Sequence, residues 1–261
     1  MKIKIKQQKL VNMLEKLMVT NMFSSCIISL KDDNLFSIQK EENLRGLRFA
    51  KFSKEYFDEL EGKNESIHIN AEKMLGIAKR IPANTDVSLF TQKGKVMIGA
   101  EFDGRKINPK IAYLEPEEVI TELKDANIEI KNGVPFVGKE DQEKIELDTQ
   151  LSLDINDFKD IVDYGSTLGT EIYKFYFENK KPIVRVGDLH AHSDSVTYYP
   201  KGKVVKGEGL EVVFTYGIPQ IASTFDSDIN IRTKSNCPGW FYESGDGFVL
   251  GILLPPYVDE E

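Results

Sequence analysis

The sequence predicts an α+β fold made by duplication, in which βαβββ-type units form two similar domains with helices on one face and antiparallel sheets on the other. Three observations carry this expectation. A short alternating strand, an apolar helical stretch and a two-strand hairpin recur four times within 261 residues. The recurrences begin near residues 3, 67, 151 and 210. The longest interval holds a charged stretch, Glu115 to Lys144, with Pro116, Gly133, Pro135 and Gly138, a composition suited to a linker. The expected domains are residues 1–115 and 146–261, joined by a connector over 116–145.

The first unit opens on Ile3-Lys-Ile5, whose alternation puts both isoleucines on one strand face. Leu10, Leu14 and Leu17 follow at helical spacing, and then Cys26–Leu30 and Leu35–Ile38 flank the turn Lys31-Asp-Asp-Asn34. The second unit repeats this order with Ile67-His-Ile69, a helix over Ala71–Ile81, Val87–Phe90, the turn Gln92-Lys-Gly94, and Val96–Ile98. The third runs through Leu151–Leu153, a helix over Asp157–Tyr164, Ile172–Phe177, the turn Asn179-Lys-Lys181, and Ile183–Val186. The fourth has Leu210–Val213, a helix over Tyr216–Phe225, Ile229–Arg232 and Trp240–Tyr242. Pro219 suits the first turn of that helix, where its missing N–H is not needed.

Composition narrows the class. The chain is long enough for two cores, and its apolar and charged content is that of a globular protein. Met1-Lys-Ile-Lys-Ile-Lys6 alternates with period two, so it reads as a strand and not as a signal peptide. No run approaches the roughly 18 apolar residues of a membrane span, so no membrane partner is expected. Cys26 and Cys237 are too few for a disulfide framework or a cysteine zinc site and suit buried free thiols in a reducing cytosol. The net charge of −8 is unevenly spread: residues 1–115 carry 20 Lys+Arg against 15 Asp+Glu (+5), and residues 116–261 carry 14 against 27 (−13). At most the first part meets a polyanion.

One segment resembles a catalytic motif. Gly187-Asp-Leu-His-Ala-His-Ser-Asp194 follows a strand and could place His190 and His192 on one metal with Asp188 beside them, similar to the first motif of amidohydrolase-type metal hydrolases. Only His68 remains elsewhere, in an alternating strand where a half-exposed polar residue is expected, so the donor count is short. No metal, cofactor or catalytic residue is expected.

The ordered repeat resembles a sliding clamp of the proliferating-cell-nuclear-antigen family over essentially the whole chain. The resemblance is carried by Asn34-Leu-Phe-Ser-Ile38, Ile67-His-Ile-Asn-Ala-Glu-Lys-Met-Leu75, Asn236-Cys-Pro-Gly239 and the tail Leu253-Leu-Pro-Pro-Tyr-Val-Asp-Glu-Glu261. It implies a ring of three two-domain subunits, with helices lining the hole. By the same resemblance the protein is a non-enzymatic processivity factor that encircles duplex DNA without reading its sequence. Its partners are then DNA polymerase, a clamp loader and other clients carrying short PIP peptides. A homotrimer is implied, with a heterotrimer left open. The alternative is a clamp-like scaffold, or one subunit of a heteromeric ring, with weak direct DNA contact.

The resemblance also assigns residues. Lys9, Lys16, Lys73, Lys79, Arg80 and Lys159 are expected on the DNA-facing helices, Lys9, Asn12 and Lys16 forming one polar stripe. Asp160 and Asp163 stand where family members commonly carry basic residues, and the fourth helix has none. The client-peptide pocket is assigned to Ile38, Val134, Phe136, Pro238, Leu253, Pro255 and Pro256. The subunit edges fall at Lys110–Leu114, with Ile111 and Tyr113, and at Ser195–Tyr199, with Val196 and Tyr198, because repeated strands leave edges that must be paired or covered.

Overall fold

The computed structural model describes residues 1–20, 22–40, 46–62, 64–114, 128–131, 134–138, 144–187, 194–207 and 210–257. In chain order the elements begin with β1 (Lys2–Lys6), α1 (Gln7–Met18), β2 (Ser25–Lys31), β3 (Asn34–Lys40), β4 (Leu47–Ser53), β5 (Glu59–Glu61), β6 (Glu65–Asn70) and α2 (Ala71–Ala78). They continue with β7 (Asp86–Gln92), β8 (Lys95–Phe102), β9 (Arg105–Ile107), β10 (Lys110–Ala112), β11 (Ile128–Lys131), β12 (Val134–Val137) and β13 (Ile145–Glu146). Next come β14 (Thr149–Leu153), α3 (Ile155–Leu168), β15 (Tyr173–Glu178), β16 (Lys181–Gly187), β17 (Ser195–Tyr198) and β18 (Gly202–Lys206). The last are β19 (Glu211–Phe214), α4 (Ile218–Thr224), β20 (Ile229–Thr233), β21 (Gly239–Gly245) and β22 (Phe248–Leu254). The four expected repeats are all present, as β1-α1-β2-β3, β6-α2-β7-β8, β14-α3-β15-β16 and β19-α4-β20-β21. The chain forms two compact units. One holds Met1–Gln39, Arg48–Thr121 and Ser244–Leu250, and the other holds Lys40–Leu47, Glu122–Glu243 and Gly251–Glu261.

In the first unit the sequence dictates the hairpins. Asp32 and Asp33, then Lys93 and Gly94, all take positive φ, the geometry that matches the right-handed twist of flanking strands in a two-residue turn. One sheet runs β10-β8-β7-β1-β5 with β9 on β8, and another runs β4-β3-β2-β6. Helix α1 buries Leu10, Met13, Leu14 and Leu17, the i, i+3, i+4, i+7 face, and lies beside α2. Asn70 caps α2 by accepting from Lys73 N at 2.7 Å. That helix stops at Ala78, short of the expected Ile81, because Ile81 precedes Pro82, whose ring disfavours helical backbone there. Along β1 and β5 the register sets Lys4 opposite Glu59 and Lys2 opposite Glu61, and Glu59 pairs with both lysines.

Arg48 on β4 is fully buried, yet no carboxylate meets it among the described residues. Its guanidinium donates to Leu17 O near the end of α1, to Ser37 Oγ at 2.7 Å and to Gln39 Oε1 at 3.1 Å, and it lies 4.7 Å from the Phe23 ring. The planar fork serves acceptors on a helix end and a strand at once, which a point charge cannot do. Burial lowers its pKa to about 10 and raises that of the neighbouring Cys26 thiol to about 11. Cys26 is buried as expected, whereas Cys237 is only half-buried. His68, expected half-exposed, is 6% exposed and lies 3.0 Å from Ser25 Oγ, because β6 is covered on both faces and Ile67 and Ile69 are buried with it.

In the second unit the sheets run β17-β16-β15-β19 and β18-β14-β20-β21. Phe158, Phe175, Phe214 and Phe241 pack as one aromatic cluster with ring centroids 5.2 to 6.4 Å apart. Asp154 caps α3 by accepting from Asn156 N and Asp157 N, and Gly169, in the left-handed region, ends it. The helix is therefore longer than the expected Asp157–Tyr164 span. Gly165 sits within it because a Cβ there would stand 2.2 Å from the Tyr173 hydroxyl. Helix α4 is shorter than expected, since Gly217 takes φ 80° and starts it at Ile218. Buried Glu243 accepts from Asp226 N, Ser227 N and Ser227 Oγ, so a carboxylate anchors the loop before β20. The stretch expected as a linker carries structure of its own: Ile128 pairs with Val137 and Glu129 with Phe136, and β13 adds a third strand.

Arg48→Ala is expected to lower the unfolding free energy in urea by about 3 kcal/mol, since it strands several buried acceptors, and Arg48→Lys to recover less than half of that. A second outcome concerns acid. Lys2, then Lys4, hold the Glu59 carboxyl down at about 2, against about 4.3 when unfolded. Its contribution is therefore complete above the unfolded value and is lost as pH falls through the folded one. Between pH 5 and 2 the urea midpoint of Glu59→Gln should fall less steeply than that of the parent protein.

Candidate nucleic-acid and subunit interfaces

The helix cations divide by exposure. Lys9 is exposed, with its Nζ donating to Tyr56 O at 3.1 Å and lying 5.3 Å from the Tyr56 ring. Lys16 departs from the expected polar stripe. It is 2% exposed, and its Nζ lies 4.8 Å from the Phe248 ring centroid. The exposed side of α1 instead carries Gln8, Lys9 and Glu15. Its amphipathic phase is set by the buried leucines, and Lys16, beside Leu17, turns inward with them. On α2, Lys73 is exposed, as are Lys79 and Arg80 just beyond its last turn, and Lys79 Nζ meets Glu15 Oε1 of α1 at 2.8 Å. In the second unit Lys159 is exposed on α3 beside the exposed Asp160 and Asp163, and α4 carries no basic residue.

Both expected edges are terminal strands in their sheets, β10 in the first unit and β17 in the second. Ile98 N donates to Pro109 O and Tyr113 N to Gly94 O, which fixes the phase of β10 on β8. The alternation of an antiparallel ladder then turns the backbone groups of Lys110 and Ala112 away from β8. Ile111 is buried and Tyr113 half-buried. Between α2 and β10 lies a groove of about 510 Å³, walled by Lys73, Ile77, Arg80, Lys110, Ile111 and Leu114 among others.

On β17, Val196 and Tyr198 are half-buried and alternate with exposed Ser195 and Thr197. The Tyr198 hydroxyl lies 3.2 Å from Asp160 Oδ2 and 3.4 Å from Asp157 Oδ1, and its ring is 5.7 Å from that of Tyr164. Burial, with Asp157 and Asp160 beside it, pushes this hydroxyl up to about 12, so it stays a donor. Asp157 also accepts from the backbone of Lys201. Asp160 and Tyr164 therefore belong to the β17 edge, a grouping that the helix pattern alone did not bring out. The signal available was their spacing with Asp157 at i, i+3 and i+7.

The expected client-pocket residues are placed within their own units. Ile38 on β3 is 3% exposed, so it is a core residue of the first unit and not part of an exposed rim: β3 is an inner strand of its sheet, and Ile38 lies between two buried or half-buried neighbours. In the second unit Phe136 is half-buried on β12, Pro238, Leu253 and Pro256 are half-buried, and Pro255 is exposed. The Val134 side chain lies outside the described residues, as do Asp188, His190 and His192 of the possible metal motif. Among the described residues no cluster of three or more His, Cys, Asp or Glu could hold a metal ion. Among them also, no helix is long and apolar enough to cross a membrane.

The sequence matches no protein-family model and no curated protein. The fold does match solved structures. Proliferating cellular nuclear antigen from Entamoeba histolytica superposes with a TM-score of 0.78 at 13% identity, over 98% of each chain. The A. fulgidus PCNA bound to the C-terminal region of FEN-1 gives 0.76 at 14% identity, over 100% of this chain and 99% of that one. The PCNA2–PCNA3 complex of Sulfolobus tokodaii gives 0.77 at 13% identity, over 99% and 100%. At these identities the likeness is one of fold, and this chain has the fold of proliferating cell nuclear antigen over essentially its whole length.

Proposed function

We propose that this chain is a sliding-clamp subunit that closes with others into a ring around duplex DNA and tethers replication and repair enzymes to it, without catalysis of its own. The observation that carries this reading is the full-length fold likeness to clamps, of which one is solved with a FEN-1 segment and another as a complex of two clamp chains. The terminal strands β10 and β17 support it, since open edges are normally paired or covered and a ring pairs them without unlimited growth. Phosphate contacts are drawn from the exposed helix-region cations Lys9, Lys73, Lys79, Arg80 and Lys159. Such contacts hold a duplex without reading its sequence. Client peptides are assigned to the apolar residues Phe136, Pro238, Leu253, Pro255 and Pro256 of the second unit. The site of action is the cell interior, where DNA is handled.

A second reading, a clamp-like scaffold with little direct DNA contact, is favoured by one observation. Asp160 and Asp163 are exposed on α3, and α4 lacks cations.

The two readings part in a primer-extension assay on circular single-stranded DNA with the cognate polymerase and clamp loader. The clamp reading expects longer products per polymerase binding event, and loss of the effect when the circle is linearised. Unchanged product length, with or without related chains from the same source, would overturn it. A Lys9→Ala/Lys79→Ala/Lys159→Ala variant should slide off circular DNA at lower salt. For every phosphate no longer neutralised, the plot of log affinity against log salt should flatten by about 0.9.

A further inference from the structure

In the second unit, the face of the β18-β14-β20-β21 sheet that turns away from the core carries an arginine without an acceptor. Burial alternates along β14 and β20, so Leu151, Leu153, Ile229 and Ile231 point into the core, while Gln150, Ser152, Asn230 and Arg232 point away from it. The ladder sets Arg232 between Gln150 on β14 and Trp240 on β21, and Asn230 opposite Tyr242. Gln150 Nε2 donates to the Tyr242 hydroxyl at 3.2 Å, so this bond passes across β20 between Asn230 and Arg232. Trp240 stands on the neighbouring strand, its indole filling the space over Gly251 of β22, where a Cβ would stand 2.3 Å from the ring.

Arg232 is half-buried among these groups, and its Nε is buried with no hydrogen-bond partner. Among the described residues its guanidinium makes neither a hydrogen bond nor an ion pair. Residues 116–261 carry 27 Asp+Glu against 14 Lys+Arg, yet the positions beside Arg232 on this face, Gln150, Ser152, Asn230, Trp240 and Tyr242, are all uncharged. The nearest carboxylate along the ladder, Asp148, accepts from Thr149 Oγ1 at 3.5 Å and lies toward Lys234 and Cys237. A buried donor without a partner is costly, so one left open here points to an acceptor that arrives from outside the chain. The fork of an arginine matches the two oxygens of a carboxylate.

Resting on the client-peptide reading of the second unit, we infer that Arg232 is a specificity-determining residue of that site and receives an Asp or Glu side chain of the bound peptide. Continuity with the assigned residues places it there. Pro238 lies two residues before Trp240, the strand partner of Arg232, and Leu253 lies two residues beyond Gly251, on the same face as the indole. Diagonal neighbours across such a ladder are roughly 7–8 Å apart, a gap that an extended arginine side chain spans. The apolar residues hold the peptide, and Arg232 chooses among peptides. A neutral residue at the facing position leaves the guanidinium open, and a Lys or Arg there is repelled.

The probes are fluorescein-labelled peptides with one aliphatic and two aromatic anchors, made in pairs that carry Glu or Gln at each position outside the anchors. Fluorescence polarisation on the full chain reads their dissociation constants. At one position, or two neighbouring ones, the Glu peptide should bind about tenfold more tightly than its Gln counterpart. Arg232→Gln should weaken that Glu peptide to the level of its Gln counterpart, and an unchanged melting temperature separates lost recognition from lost folding. Arg232→Lys should keep only part of the preference, because a point charge lacks the fork. Arg232→Glu should reverse it, favouring a Lys peptide. Lys234→Gln, which removes the exposed cation two residues away, should leave the preference intact. Equal binding of Glu and Gln peptides at every position overturns the inference, as does a preference that survives Arg232→Gln or disappears in Lys234→Gln. If no peptide binds the parent protein, the client-peptide reading fails and this inference with it, whereas peptides that bind without regard to charge sink the inference alone.

Discussion

The constraint on which the rest of this structure depends is the backbone hydrogen bond at the end of a sheet. Each unit places two helices with antiparallel sheets, and the repeats order the strands so that β10 and β17 end their sheets. A terminal strand presents donors and acceptors that water satisfies poorly once anything apolar lies beside them. Short strands, flanking charge and a lysine on the edge are common ways to keep such edges from pairing at random. Here β10 has three residues and begins with Lys110, and β17 has four with aspartates alongside on α3. These features guard against indiscriminate pairing.

Duplication followed by divergence of charge accounts for the asymmetry between the two parts of the chain. The same repeat supports α1 with Lys9 and α2 with Lys73, flanked by Lys79 and Arg80, in the first unit, and an acidic α3 and an uncharged α4 in the second. Core requirements explain what stayed alike. Leucines at helical spacing in α1 and the phenylalanine cluster beneath α3 do the same mechanical work, burying one helix stripe against strands. Nothing in that work fixes the sign of the exposed residues, so those are the positions free to specialise. On the proposed reading, four of the five cations that meet phosphate stand in the first unit, and only Lys159 in the second.

Much of this architecture was legible in the sequence because it is local. Alternating isoleucines at Ile3 and Ile5, the turn residues Asp32, Asp33 and Gly94, and the leucine spacing of α1 each act through a few neighbouring residues. What was hidden depends on residues distant in sequence. Gly165 reads as a helix breaker until Tyr173, on the following strand, is seen to occupy the space of its missing side chain. Lys16 reads as a surface residue until Phe248 is found beside it, more than two hundred positions away. His68 looks half-exposed only if one face of β6 is assumed to be open. The groove joins residues 73–80 to 110–114, and the β17 face joins 157–164 to 195–199, so neither could be read from a single periodic stretch. The edge strands were legible, because alternation survives in them.

The most direct measurement of this account is amide hydrogen exchange at Lys110 and Ala112, whose N–H groups point away from β8. If these edges close on a second copy, both amides exchange slowly in concentrated protein and become fast on dilution, in step with the fall in mass. Exchange at the rate of an open strand edge, equal at every concentration, would contradict it.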